Sequence, residues 1–386
     1  MSDELVSIVM STYNHAPYVG EAIESVFAQS HGNIEFLITD DGSSDGSVDE
    51  ISKFRDSRII FVPSTSNRGA CTATNELIAK ARGRYICVMN SDDIWCSPEK
   101  IRDQLRILRE RPEVGATFGR ARFIDMHGAP INKASLPYGR IFDQVNIPIA
   151  RQQWLEQFFM HGNCLCHPTV MIRKECYERL GGYRNTLRQV PDFDMWIRLA
   201  RHHEIHVSQE ELVSFRILPG QNASSPTSAN RIRDINENHL LRRKFFEGME
   251  DEDFQAGFGK HFVRPDASDP ISLRIEKALI CFHKDSLYPG PDSIIGLERV
   301  QQLLEDPLAV NTLRFDYGID DRWFHNKMTV MEHLSREPTT SPAVHSVEGR
   351  GLMGRLRRMC HTLRLRGCFS GCVRTEKIAA MGNRRI

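Results

Sequence analysis

The sequence predicts an α/β protein built on a mostly parallel sheet flanked by helices, followed by a mainly helical region. Three observations carry that prediction. Short apolar runs alternate with helical periodicities through the first hundred residues. The runs are bounded by polar turn residues, as strands buried on both faces are. One of them, Tyr85-Ile86-Cys87-Val88-Met89, runs directly into Asn90-Ser91-Asp92-Asp93. The carboxyl ends of parallel strands are where α/β proteins hold ligands, so this pair of neighbouring carboxylates stands where chemistry is expected.

Taken in order, residues 6–10 read as a strand, 17–29 as a helix with Pro17 in its first turn, and 34–39 as a second strand. Asp41-Gly42-Ser43-Ser44-Asp45 forms a turn feeding a helix to about residue 54. A third strand over 58–62, a helix over 68–81 and the strand over 85–89 follow. Crossovers of helical length between four strands imply parallel pairing with right-handed connections. A helix after Pro98 reaches about residue 109 and a strand covers 114–118. A polar stretch through residue 150 carries no assignable element. Beyond it come a helix over 152–159, a strand over 169–172, a helix over 174–180 and the Gly181-Gly182 break. The helix that opens at Pro191 has Phe193, Trp196, Ile197 and Ala200 at helical spacing. Pro219 to Pro226 reads as a linker, and helices are expected over 232–246, 271–283 and 293–304.

At 386 residues, with 40% hydrophobic and 26% charged, the chain fits one large or two medium globular domains. The expected division is a catalytic domain over 1–220, a mainly helical region over 221–335, and a linker with a basic tail over 336–386. No apolar stretch reaches the roughly 18 residues of a membrane span, and Met1-Ser2-Asp3-Glu4 does not open an export signal. The ten cysteines are scattered, as in a reducing compartment. The expected location is therefore cytoplasmic, with peripheral contact at the inner face of the plasma membrane through the tail.

Net charge is zero, yet residues 349–386 hold nine Arg and one Lys against the single acid Glu376. Leu352, Met353, Leu356, Met359, Leu363 and Leu365 among the arginines permit an amphipathic basic helix on anionic lipid; a disordered basic tail reads equally well. Nucleic acid is not an expected partner, since Phe369 is the tail's one aromatic.

Four segments in order, Ser11-Thr12-Tyr13-Asn14, Asp40-Asp41-Gly42-Ser43, Asn90-Ser91-Asp92-Asp93 and Asp192-Phe193-Asp194-Met195-Trp196-Ile197-Arg198-Leu199, resemble the family 2 glycosyltransferases of GT-A fold over roughly residues 5–216. The resemblance implies an inverting, metal-dependent enzyme. It would move a sugar from a nucleotide-diphosphate sugar to a hydroxyl of a glycan or lipid-linked saccharide.

By the same resemblance, Asp93 touches a divalent Mg²⁺ or Mn²⁺, and Asp92 the metal or the ribose. Such ions take carboxylate and phosphate oxygens and keep waters, so one or two protein carboxylates plus a diphosphate suffice. Ser11, Tyr13, Asp41 and Arg68 would line the nucleotide, with Asp41 accepting a base N–H and Tyr13 stacking. His167 would shape the acceptor pocket. Asp192 would be the base that takes the acceptor's proton.

Each of these has a plainer reading. Asp92 and Asp93 could cap the following helix, and Asp41-Gly42 is a good turn. Arg68 could form a surface ion pair, and Asp192 could be a first-turn acid complementing the helix dipole. Asp194 faces elsewhere on the helix and reads as structural, and Trp196 reads as core. His202-His203-Glu204-Ile205-His206 matches no common zinc spacing and reads as a solvated helix end. Cys164 and Cys166 read as strand residues that pack, and Cys368 and Cys372 as exposed thiols.

Two departures from the family pattern stand out: Asn90 where many relatives carry an Asp, and Pro191 where they carry a Glu. They keep open a non-catalytic nucleotide-sugar-binding or scaffold role. A nucleotidyltransferase would need a Gly-rich, basic loop after the first strand, which Ser11-Thr12-Tyr13-Asn14 does not supply.

Overall fold

The computed structural model describes residues 4–136, 149–220, 225 and 227–329. The chain runs β1 (Val6–Thr12), α1 (Ala16–Phe27), β2 (Ile34–Asp40), α2 (Ser47–Ser52), β3 (Ile59–Phe61), α3 (Ala70–Lys80) and β4 (Tyr85–Val88). It continues with β5 (Ile94–Trp95), α4 (Lys100–Glu110), β6 (Val114–Ile124), β7 (Pro130–Ile131), α5 (Arg151–His161), β8 (Met171–Arg173), α6 (Lys174–Leu180), α7 (Pro191–Ala200) and β9 (Glu204–Arg216). The helices α8 (Ser228–Arg243), α9 (Asp251–Phe258), α10 (Pro270–Leu279), α11 (Pro289–Glu305), α12 (Val310–Phe315) and α13 (Asp321–Thr329) complete it. The basic tail expected over 336–386 lies outside the described residues.

One sheet has the order β3-β2-β1-β4-β8-β6-β9-β5, with β7 on β6. β3, β2, β1 and β4 are parallel, as are β6 and β9; β8 runs antiparallel between the two groups. Side chains alternate along β1 with period two. Val6, Ile8 and Met10 pack on the face carrying α1 and α4, while Val9 points into the cluster with Trp154 of α5 and Trp196 of α7. Burial on both faces is why these strands read as continuous apolar runs.

The elements that the sequence reading left unassigned are mostly in the second half of the sheet. β6 continues to Ile124, β7 follows it, and β9 is a strand of 13 residues. The segment read as a solvated helix end is a short turn at His202 and His203 that leads into β9 at Glu204. Cys164 and Cys166 are buried, in the turn before a 3₁₀ segment at His167–Thr169 rather than in a strand. α9, α12 and α13 were also unassigned.

The helical region does not stand apart from the sheet. Leu241, Phe245, Phe246, Phe254 and Phe258 belong to the same apolar cluster as Trp154, Phe158 and Phe159. The Phe159 ring meets those of Phe246 and Phe245 at 4.9 and 5.1 Å. A second core, around Ile275, Val300 and Leu313, joins α10, α11 and α12.

Trp196 is fully buried and meets Phe118 edge-on at 4.7 Å. Its indole N–H finds no partner among the described residues. Trp196→Ala is therefore expected to destabilise the fold by about 3–5 kcal/mol in urea denaturation. Trp196→Phe, which removes the orphaned donor, should cost clearly less; equal losses would contradict this account of the core.

Candidate active site

The carboxyl ends of β1, β2 and β4 lie side by side, and hydrogen bonds stitch their loops together. Thr12 pairs in register with Asp40, and the Asp41 N–H donates to the Thr12 carbonyl at 2.8 Å. Asn14, the one described non-glycine residue with positive φ (54°), accepts from the Ser44 N–H at 2.9 Å, and its own N–H donates to Ser43 Oγ at 2.8 Å. A side-chain oxygen that bonds locally suits Asn to that conformation. His15 Nδ1 lies 2.8 Å from Ser91 Oγ, joining the loop after β1 to the acidic loop after β4. Gly42 is required where it stands: φ is +80°, and a Cβ would come within 2.7 Å of the Ser66 backbone.

Asp40 and Asp41 organise this rim. Asp40 is buried and accepts the N–H groups of Gly42 and Ser43, forming the turn. The Asp41 carboxylate accepts the Arg68 N–H at 3.0 Å and the Gly69 N–H at 2.8 Å, just ahead of α3. The Arg68 guanidinium stands 3.6 Å from Asp41 and bonds Glu76 at 2.6 Å. Ser11 Oγ lies 3.2 Å from Thr74 Oγ1 of α3, while the Tyr13 ring is 46% exposed at the mouth.

Asp93 is buried. Its Oδ1 accepts the backbone N–H of Arg216 at 2.8 Å, and its Oδ2 accepts the Asn90 amide at 2.9 Å. Burial and the neighbouring Asp92 charge push its carboxyl well above the ordinary range. Arg216, also buried, donates from Nε to the Asp92 carbonyl at 2.8 Å and from a terminal nitrogen to Glu21 at 2.6 Å. Its guanidinium covers the Tyr18 ring at 4.9 Å. The acidic loop is thus held from behind by a residue far away in the chain.

The carboxylate oxygens suit a hard divalent cation. Each Asp93 oxygen gives one lone pair to a protein N–H and keeps another, and Asp92 adds a second carboxylate. Among the described residues no group of three His, Cys, Asp or Glu side chains could hold a metal ion. Asp92 and Asp93 are oxygen donors of the kind a hard divalent cation takes together with substrate oxygens and water, and the Asn90 amide fixes Asp93.

Asp192 lies in the first turn of α7, after Pro191, and its Oδ2 accepts from Asn163 Nδ2 at 2.9 Å. The Cys166 thiol, between Asn163 and His167 in the chain, is buried, and desolvation with the Asp93 and Asp192 charges pushes it well up. His167 turns inward: its Nε2 lies 2.9 Å from the Tyr183 hydroxyl, which is 2.8 Å from that of Tyr177. Asp194 pairs with Arg198 at 2.8 Å and Arg184 at 3.4 Å, as a structural acid does.

Sequence reasoning passed over His15, Asn163 and Arg216. Asn163 sits in the His161-Gly162-Asn163 turn, whose polarity was the one available signal. Nothing around Arg216 marks it, because its role arises only when β9 is placed beside β5 and β6.

Residues 7–181 match the sequence profile described as "Glycosyl transferase family 2". An uncharacterized glycosyltransferase of Methanocaldococcus jannaschii is 29% identical over 222 residues, 56% of this chain and 72% of that one. Escherichia coli UDP-Glc:α-D-GlcNAc-diphosphoundecaprenol β-1,3-glucosyltransferase WfaP is 40% identical over 105 residues, 27% of this chain and 41% of its own. This chain therefore spans less than half of that enzyme.

Among solved structures, Staphylococcus aureus TarS 1–349 in complex with UDP-GlcNAc has a TM-score of 0.53 at 15% identity, covering 85% of this chain and 90% of that one. The Pyrobaculum calidifontis mannosyltransferase in complex with GDP-Man and Mn²⁺ has a TM-score of 0.50 at 15% identity, covering 87% and 89%. These likenesses concern the fold, and they agree with the GT-A-type sheet expected for the family 2 domain.

Burial holds the imidazoles of His161, His167, His202, His203, His206 and His283 below their ordinary value of 6.5. Each such group contributes stability that is whole above the unfolded value and is lost as the pH falls toward the folded one. The carboxyls of Asp93 and Asp234, with their values raised, contribute in the opposite sense. Six imidazoles oppose these two carboxyls, so the melting temperature is expected to fall between about pH 7.5 and about pH 5.5 in scanning fluorimetry, a window set by histidine titration. A flat or rising profile would contradict the assignment.

Proposed function

We propose that the chain is an inverting, metal-dependent glycosyltransferase that moves a sugar from a nucleotide-diphosphate sugar to a hydroxyl of a glycan or lipid-linked saccharide. The observation that carries this reading is that the acidic loop with Asp92 and Asp93 ends β4 beside the loops that follow β1 and β2, tied to them through His15 Nδ1 and Ser91 Oγ and held from behind by the Arg216 N–H. The match of residues 7–181 to glycosyl transferase family 2 supports glycosyl transfer, and the E. coli relative's action on a diphosphoundecaprenol-linked sugar supports the acceptor class.

In this reading the nucleotide lies over the rim made by Ser11, Tyr13, Asp41 and Arg68. Tyr13 offers an exposed ring on which a base stacks. Asp41 is engaged by the Arg68 and Gly69 N–H groups, so it shapes the base pocket and keeps its remaining lone pairs for a base N–H. The Arg68 guanidinium brings positive charge to the same side. Asp92 and Asp93 would hold Mg²⁺ or Mn²⁺, which would supply charge neutralisation for the leaving diphosphate.

Asp192 performs the proton transfer. Asn163 fixes Oδ2, which leaves Oδ1 to accept the proton of the acceptor hydroxyl. As that O–H bond breaks, the acceptor oxygen attacks the anomeric carbon, the bond to the diphosphate oxygen breaks, and the electron pair departs with the nucleoside diphosphate. A single displacement inverts the anomeric centre and needs no enzyme nucleophile. His167, tied to Tyr183, shapes the acceptor side by fixing the wall behind Asp192 rather than by reaching the sugar.

Asp192→Asn is expected to bind donor as the wild type does while its kcat falls by roughly 10²- to 10⁴-fold. Asp93→Ala is expected to lose the thermal stabilisation that UDP, GDP or dTDP gives in the presence of Mn²⁺. Wild-type turnover by Asp192→Asn would remove it as the base. Donor binding by the native chain without any transfer would favour the scaffold role.

A further inference from the structure

The turn that leads into the Asp192 helix is held by a carboxylate from the helical region. Glu237 of α8 is 6% exposed. It accepts the Arg188 N–H on both oxygens at 3.0 Å, the Gln189 N–H at 2.7 Å and the Val190 N–H at 3.2 Å. Three successive backbone donors converge on one side chain, and they are the three residues immediately before Pro191.

The helix start has no local substitute for this contact. Val190, at the N-cap position, offers no side-chain acceptor, and Pro191 carries neither an N–H nor a polar side chain. The loop is pinned on its other side as well. Cys71 of α3 donates to the Leu187 carbonyl at 3.5 Å, and this thiol, raised to about 11 mainly by burial, feels the charges of both Asp192 and Glu237. Asn163 fixes the carboxylate of Asp192, whereas the direction of the first turn that carries it depends on residues 188–190.

We infer that Glu237 is a positioning residue for transfer: by gripping the 188–190 amides it aims the first turn of α7, and so the Asp192 carboxylate, at the acceptor hydroxyl. The inference rests on Asp192 being the base of the proposed reaction. It makes α8, which lies outside the matched family 2 segment, part of the machinery that sets kcat. Glu237 touches no reacting atom in this scheme. Its removal should affect the catalytic step and leave donor affinity alone, because the nucleotide rim is built from the loops after β1, β2 and β4.

The test uses the full chain with Glu237→Gln and Glu237→Asp, measuring initial rates against donor concentration, melting temperature, and amide hydrogen exchange of residues 188–194. Glu237→Gln keeps the shape but loses the charge and one acceptor oxygen. It is expected to lower kcat about tenfold or more with donor KM within about twofold, and to speed exchange at 188–190 while the chain still melts cooperatively. Glu237→Asp, with its carboxylate retained, should recover part of kcat.

A kcat within about twofold of wild type in Glu237→Gln, with faster exchange at 188–190, would overturn the inference. So would a loss seen only as a raised donor KM, or one that tracks global melting in both variants. Failure of the underlying reading looks different: Asp192→Asn would then turn over normally, or the wild type would transfer from no nucleotide sugar, and the inference would fall with it.

Discussion

The grip on Asp93 holds the two halves of the sheet to one purpose. β4 ends in the acidic loop, and β9 arrives from the far side of the sheet and donates the Arg216 N–H to the Asp93 carboxylate. The same residue's guanidinium reaches back to the Asp92 carbonyl and across to Glu21 of α1. A buried carboxylate is costly unless its lone pairs are filled, so this geometry is demanding as well as stabilising. With the Asn90 amide on the other oxygen, the loop has little freedom to present its acids anywhere else.

That constraint acts together with the stitching of the other loops. Asn14, Ser43, Ser44, His15 and Ser91 tie the ends of β1, β2 and β4 into one rim through short polar contacts. Parallel pairing brings those ends side by side, and the loop bonds fix their conformation. The rim is thus a consequence of sheet order, since β1 sits between β2 and β4 and its loop can reach both.

The parts of this arrangement legible in the sequence are those whose signal is local. Apolar runs bounded by turns gave β1, β2 and β4, and the acids that follow them stand at the expected ends. The spacing of Phe193, Trp196 and Ile197 gave α7 and a buried Trp196. β9 was missed because its central residues, Ser208 to Glu211, are polar and exposed or half-exposed, so the strand has no apolar run over its middle. β6 was cut short for a related reason: Arg120 and Arg122 interrupt its apolar pattern, at an irregular stretch of its register with β9. The partners that hold the acids, Arg216 for Asp93 and Glu237 for the loop before Asp192, come from segments 123 and roughly 50 positions away. Periodicity carries no information about such pairings, which depend on tertiary placement.

The position of Pro191 shows how one departure in sequence can be absorbed by structure. A proline at the first helical position is well suited to start α7, because its fixed φ matches the helix and its missing N–H would have had no intrahelical acceptor. It cannot, however, orient its neighbour through a side chain. In this fold the neighbour is oriented from two other directions: Asn163 on the carboxylate itself, and Glu237 on the three amides upstream. The second contact requires the helical region to stay seated, and the aromatic cluster of Phe159, Phe245 and Phe246 does that with non-directional burial. Burial fixes where α8 lies, and directional hydrogen bonds from α8 then fix how α7 begins. A substitution in the aromatic cluster would therefore reach Asp192 through backbone amides rather than through charge.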